Sequence, residues 1–309
     1  MSGIGAALAS ALFLGLAPVF GRAAITSGIS PLLVVALRTG FAALLLLVIM
    51  AVFQRRFFYI FFVGLLGCLL AGAINGIGSI LYYMALGRLP AGVGQMLYSL
   101  YPVFLALLLV LDHHRLSRLT LFRIAISALA VIFLTFSPGS GADLLGVLLM
   151  LGASALYALH LPINQRVLYE IPAPTVTLYT LIAMSAVVIP AYALFDRAAP
   201  PTGAAWGAVT ALTLVTFLSR LTLFAGVKRL GGIQTAILGL AEVLVTLLFS
   251  HLWLGEELSP AQWIGAVLLA LSLALVAVDR QPAENPRSHG GWLSWLRAPE
   301  PPHVTWTLE

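Results

Sequence analysis

The stretch Ala9-Ser10-Ala11-Leu12-Phe13 returns 144 positions later as Ala153-Ser154-Ala155-Leu156-Tyr157. The match continues past it. Pro18 falls on Pro162 and Arg22 on Arg166, so two apolar segments share small residues, an aromatic, an interior proline and a terminal arginine. Further along, Leu100-Tyr101-Pro102-Val103 aligns with Leu240-Ala241-Glu242-Val243, and Leu116-Ser117 with Leu258-Ser259. The chain reads as two copies of one unit.

The solvent of that unit follows from composition. Of the 309 residues, 61% are hydrophobic and only 9% are charged. A water-facing domain carries about 25% charged residues, so the outside of this protein faces lipid. The net charge of +5 does not indicate nucleic acid, because the basic residues come at most in pairs, Arg55-Arg56 and Lys228-Arg229, between apolar runs. Cys68, the one cysteine, excludes an intrachain disulfide and a cysteine metal cluster and reads as a small buried side chain.

A hydrocarbon core about 30 Å thick needs about 20 apolar residues per helix. Cutting the chain at its charges, prolines and glycines gives ten such runs, 3–25, 31–53, 58–86, 91–111, 119–137, 143–167, 174–195, 204–227, 232–253 and 260–278. The first run lacks a basic segment before it and has a counterpart later in the chain, so it is expected to be a helix rather than a cleaved leader. With a cytoplasmic N-terminus, eleven basic residues fall on the inner side and two, Arg88 and Arg197, on the outer side. The positive-inside rule then places both termini in the cytoplasm. The fold expected is all-α and integral to the membrane, with ten transmembrane helices in two inverted five-helix repeats, 1–138 and 139–279. Residues 280–309, rich in proline and charge, are expected to form a disordered cytoplasmic tail. An odd number of helices per repeat inverts the second copy, and two inverted halves can open a central site to each side in turn.

Pro18, Pro102 and Pro162 lie inside expected helices, where each removes a backbone hydrogen bond and acts as a fixed bend or a hinge. Gly72 and Gly76, at GxxxG spacing, mark a close helix contact. Polar and aromatic residues recur at helical spacing: Asn75, Ser79 and Tyr82 in the third helix, Tyr98 and Tyr101 in the fourth, and Tyr157, His160 and Asn164 in the sixth. Polar atoms facing lipid would go unpaired, so these stripes should face the interior. They are candidate substrate-binding residues for a flat aromatic or amphipathic solute. Ordinary packing and interfacial tyrosines are the alternative. Glu242, deep in the ninth run, costs about 2.5–3.5 kcal/mol to place in a membrane. It is either a proton-coupling site or substrate anchor, or half of a buried ion pair with Arg220 or Arg38.

With Lys228 as the sole lysine and no Walker sequence, the chain has no P-loop of its own, and neither HExxH nor GxSxG occurs. No cofactor, metal or enzymatic activity is expected. Two prolines in matching helices, Leu100-Tyr101-Pro102-Val103, Ala241-Glu242-Val243, and Leu254-Gly255-Glu256 followed by Leu258-Ser259 together resemble the EamA-type members of the drug/metabolite transporter superfamily, over about residues 3–279. The first half departs from the pattern, with Asp112-His113-His114 where a second Leu-Gly-Glu would stand. The resemblance implies a bacterial cytoplasmic-membrane transporter whose central cavity is lined by helices one to four and six to nine. Within the superfamily the chain resembles aromatic amino-acid exporters, Tyr101 and Tyr157 matching their aromatic positions. That implies aromatic amino acids as substrate, with protons as a possible coupling ion. Another small solute (a drug, a purine, another amino acid) or a non-transport assembly role are the alternatives.

Overall fold

A computed structural model describes residues 3–111, 118–135, 143–196, 198, 203, 205–230 and 232–275. These residues form eleven α-helices: Gly3–Thr26 (α1), Pro31–Phe53 (α2), Phe62–Leu86 (α3), Ala91–Tyr98 (α4), Tyr101–Leu111 (α5), Arg118–Thr135 (α6), Leu144–Glu170 (α7), Ala173–Phe195 (α8), Ala205–Leu230 (α9), Gly232–Leu254 (α10) and Pro260–Ala274 (α11). A 3-10 turn, Arg55–Phe58, precedes α3, and no strand occurs among the described residues. The third helix therefore starts at Phe62 rather than near 58. The 280–309 tail and the Asp112-His113-His114 segment lie outside the described residues.

Helix starts are written in the sequence. Ser30 accepts from the Leu33 amide ahead of Pro31, and Ser259 and Gln262 form a reciprocal capping box around Pro260. Asp143 accepts from the Leu145 amide at 2.9 Å. The same carboxylate accepts a hydrogen bond from Arg88 at the end of α3, and this bond holds its pKa below the ordinary carboxylate value.

Among the described residues eight stretches are long and apolar enough to cross a bilayer, and Ala241–Leu254 and Pro260–Ala274 are shorter apolar helices. Leu44, Val48, Phe62, Leu148, Val267 and Leu271 are exposed on the outside, as lipid-facing positions are. The expected fourth helix departs from the sequence reading. It is two helices, α4 and α5, parted at Ser99 and Leu100, so Pro102 lies in a first turn and not in a helix interior. The cause is the proline, whose missing N–H orphans the carbonyl four residues back, on Tyr98. Ser154 of α7 takes up that carbonyl with a hydroxyl bond of 2.7 Å. Pro18 and Pro162 stay inside unbroken α1 and α7.

Helix packing comes in matched pairs. The contact of α1 with α9 is mirrored by that of α7 with α3, α2 with α9 by α8 with α3, and α1 with α10 by α7 with α4 and α5. The contacts of α2 with α8 and of α6 with α11 each map onto themselves when the halves are exchanged. Glycines set the closest approaches. A Cβ on Gly72 would lie 2.6 Å from the Thr180 carbonyl oxygen of α8, and one on Gly15 would lie 2.6 Å from the Glu242 carbonyl oxygen of α10. Gly76 also faces α8, at Val187 and Met184, which makes Gly72 and Gly76 the close-contact pair that their spacing indicates. Gly72→Ala will cost about 1–3 kcal/mol by overpacking, measured as a lower unfolding midpoint in detergent; an unchanged midpoint would show that α3 and α8 part freely.

Candidate functional site

Seven helices converge on a cavity of about 60 Å³ lined by Leu14 and Ala17 of α1, Arg38 of α2, Ser79, Tyr82 and Tyr83 of α3, Gln95 and Tyr98 of α4, Tyr157 of α7, Arg220 of α9 and Glu242 of α10. No lining residue comes from α6 or α11, which bind each other through Ser127 and Ser272 hydroxyls 2.7 Å apart. α8 also contributes none.

The aromatic residues form a continuous wall. Ring centroids of Tyr82 and Tyr98 are 4.8 Å apart at 77°, those of Tyr98 and Tyr157 5.1 Å apart at 40°, and those of Tyr101 and Tyr157 5.1 Å apart at 86°. Tilted and edge-to-face pairs of this kind are worth about 0.5–1.5 kcal/mol each beyond their burial. The break between α4 and α5 puts Tyr98 and Tyr101 at facing helix ends, so both rings reach Tyr157. Tyr101 meets Tyr157 edge to face and is not among the residues that line the cavity. Tyr82 donates its hydroxyl to Gln95 Oε1 at 3.1 Å, which joins α3 to α4.

The stripe of α7 divides. Tyr157 faces the cavity, whereas His160 and Asn164, 0% and 1% exposed, are buried outside its lining. His160 Nδ1 lies 2.9 Å from the Ala71 carbonyl oxygen, and Asn164 Nδ2 lies 2.8 Å from His160 Nε2. A neutral ring satisfies both contacts, with Nδ1 donating and Nε2 accepting. The His160 ring stacks on Tyr157 at 5.7 Å and 29°. These two residues therefore hold Tyr157 from behind instead of lining the cavity, as their shared helical face had led us to expect.

Two arginines enter the cavity from neighbouring helices, Arg38 from α2 and Arg220 from α9. Arg38 donates through Nη2 to Ser79 Oγ at 3.1 Å and through Nη1 to Thr216 Oγ1 at 3.3 Å, and its guanidinium lies 4.5 Å from the Tyr83 ring centroid. With the Asn75 amide oxygen set toward Arg220, that oxygen accepts from Nη2 at 2.7 Å and Nη1 at 3.1 Å. Asn75 thus positions Arg220 and does not line the cavity itself. Glu242 lines the same space, but among the described residues neither arginine forms an ion pair with it. The buried pair, one of the two readings of Glu242, is not formed among the described residues, where neutral oxygens hold the arginines. The sequence reading did not include Thr216, Leu14 or Ala17 in the site, because an isolated threonine, leucine or alanine in an apolar run carries no polar signal.

The Leu254-Gly255-Glu256 motif has a structural role at one end of the site. Gly255 has φ +64°, the left-handed glycine that ends a helix, and the Glu256 amide donates to the Ser250 carbonyl at 3.2 Å. The turn aims Glu256 at the start of α4, where its two oxygens accept from the Ala91 and Gly92 amides at 2.9 and 3.2 Å. A carboxylate there satisfies free N–H groups and complements the helix dipole. Arg22 Nε approaches Glu256 at 3.9 Å while its Nη1 donates to the Leu86 carbonyl at 2.7 Å, so α1, α3, α4 and α10 are joined at one point. Glu256→Ala will remove about 1.5–3 kcal/mol of hydrogen bonding, seen as a lower unfolding midpoint; an unchanged midpoint would mean that α4 needs no cap.

The sequence pattern of the EamA-like transporter family matches residues 1–136 and again residues 144–278. An uncharacterized transporter, YwfM, of Bacillus subtilis (strain 168) is 31% identical over 156 residues, which are 48% of this chain and 52% of that protein. The match thus spans about half of each. A protein of known crystal structure superposes with a TM-score of 0.60 at 20% identity, covering 87% of this chain and 96% of the other. At that identity the likeness concerns the fold alone.

Proposed function

Because this chain belongs to the EamA-like transporter family and is a multi-pass membrane transporter, we propose that it exports aromatic amino acids and related amphipathic metabolites across the bacterial cytoplasmic membrane by alternating access. The observation that carries the substrate is the wall of Tyr82, Tyr98 and Tyr157 around the cavity, which offers ring faces to an aromatic side chain and hydroxyls to its polar end. Ten membrane spans in two inverted repeats, 1–138 and 139–279, with both termini and the 280–309 tail in the cytoplasm, are the architecture we propose. The family pattern matching twice and the helix contacts that exchange in pairs support it.

The cavity of about 60 Å³ is too small for an amino acid, since ligand pockets run to about 300 Å³ or more. Its wall must open for a substrate to enter. The break before Pro102 and the prolines inside α1 and α7 supply the places to bend, and we assign Pro18, Pro102 and Pro162 that hinge role. Glu242, a carboxylate on the cavity wall with no ion-pair partner among the described residues, can exchange a proton without breaking a salt bridge, and we assign it proton coupling.

A competition panel tests the substrate. In liposomes carrying the purified protein, phenylalanine and tryptophan will displace labelled phenylalanine, and threonine and a cationic drug will not. Equal displacement by the drug would put the chain with transporters of other solutes.

A further inference from the structure

Taking the cavity as the transport site, we infer that Arg38 and Arg220 form a subsite for a carboxylate, so that the polar end this protein selects in its substrate is an anion. Arg38 is 7% exposed and Arg220 8%, and both line the cavity. A guanidinium has five N–H donors. For Arg38 the described partners are two hydroxyls, Ser79 Oγ and Thr216 Oγ1, and its Nε is buried with no partner at all. Uncompensated charge at such depth is costly, and an intramembrane ionisable group ordinarily has a partner or a task. Among the described residues nothing supplies that partner: Asn75, Ser79 and Thr216 are neutral, and Glu242 forms no ion pair with either arginine.

The arrangement around the two charges is built on helical spacing. Asn75 and Ser79 are four apart on α3, and Thr216 and Arg220 four apart on α9, so each pair occupies one face about 5–6 Å apart. Ser79 and Thr216 therefore hold Arg38 on one rung, while Asn75 holds Arg220 on the next. Two like charges fixed on adjacent rungs repel, and an anion between them removes both that repulsion and the missing pairing. A planar carboxylate matches the guanidinium fork in two parallel hydrogen bonds. Tyr83, whose ring lies 4.5 Å from the Arg38 guanidinium, covers one face of the fork, and of its five N–H groups only two donate to described partners, Thr216 and Ser79. The tyrosine wall takes the apolar part of the same molecule.

Binding to the purified full-length protein, measured by calorimetry, tests the subsite with 3-phenylpropionate, 2-phenylethylamine, hexanoate and L-phenylalanine. 3-Phenylpropionate will bind at least about tenfold more tightly than 2-phenylethylamine, and Arg38→Gln will weaken it by about 30-fold or more, as expected when one partner of a buried charged contact is lost. Should Arg38→Gln fail to fold, Arg220→Lys and the ranking on the unaltered protein decide, since the ranking needs no substitution. Binding of hexanoate and 3-phenylpropionate without transport of phenylalanine would uphold the subsite and remove the aromatic amino-acid reading. Phenylalanine transport with 2-phenylethylamine binding as tightly as 3-phenylpropionate, or a ranking untouched by Arg38→Gln, would overturn the subsite and leave the aromatic reading in place.

Discussion

Tyr157→Ala will lower phenylalanine transport about 100-fold, whereas Tyr157→Phe will stay within about threefold of the unaltered protein. Tyr157 is the residue on which the aromatic wall converges, in ring contact with Tyr98, Tyr101 and His160. Truncating a buried aromatic costs about 3–5 kcal/mol, and about 2.8 kcal/mol of that expressed at the site is two powers of ten. Phenylalanine keeps the ring and its neighbours, so it separates the stacking surface from the hydroxyl. Tyr101→Ala will cost less, because Tyr101 touches Tyr157 and does not itself line the cavity. Initial uptake rates in liposomes check all three, alongside size-exclusion profiles that show a folded protein. Equal rates for Tyr157→Ala and the unaltered chain would take the wall out of the mechanism.

The second large effect concerns driving force. Glu242→Gln will abolish accumulation of phenylalanine driven by a pH gradient, while exchange of phenylalanine across the same membrane continues. The carboxylate lines the cavity with Tyr82, Tyr98, Tyr157, Arg38 and Arg220, so its proton and the substrate share one space. Glutamine keeps the shape and removes only the titration. Retained gradient-driven accumulation in Glu242→Gln would assign coupling elsewhere or nowhere, and loss of exchange as well would make Glu242 part of the substrate's own binding.

Much of the scaffold was legible because membrane helices write their length and their seams into the chain. Apolar runs bounded by Ser30-Pro31 or Ser259-Pro260 became helices with those caps, and Gly72 and Gly76 became a helix contact. Helical spacing identified faces but not what each face meets. Tyr157, His160 and Asn164 do share a face, yet two turns of α7 are enough for its first residue to reach the cavity and the next two to meet the Ala71 backbone side of α3. Pro102 was visible as a breaker, but a break in place of a bend depends on Ser154 from another helix taking up the Tyr98 carbonyl. For Arg38 and Arg220 the sequence offers one opposite charge, Glu242, and leaves a buried pair and a separate role for Glu242 equally open. Three dimensions gave the arginines Ser79, Thr216 and Asn75 instead, because residues from α2, α3 and α9 meet at distances that linear order does not encode. The Leu254-Gly255-Glu256 motif was recognised only as a pattern until Glu256 was found at the α4 N-terminus.

Counterflow tests the central claim most directly, since it needs no assumption about coupling. Liposomes holding the purified protein and unlabelled phenylalanine are diluted into labelled phenylalanine, and internal label is followed with time. Alternating access through the tyrosine-walled cavity predicts a transient overshoot of label in preloaded liposomes, absent from liposomes preloaded with threonine and from those carrying Tyr157→Ala. No overshoot with phenylalanine or tryptophan, from protein shown to be folded, would contradict it.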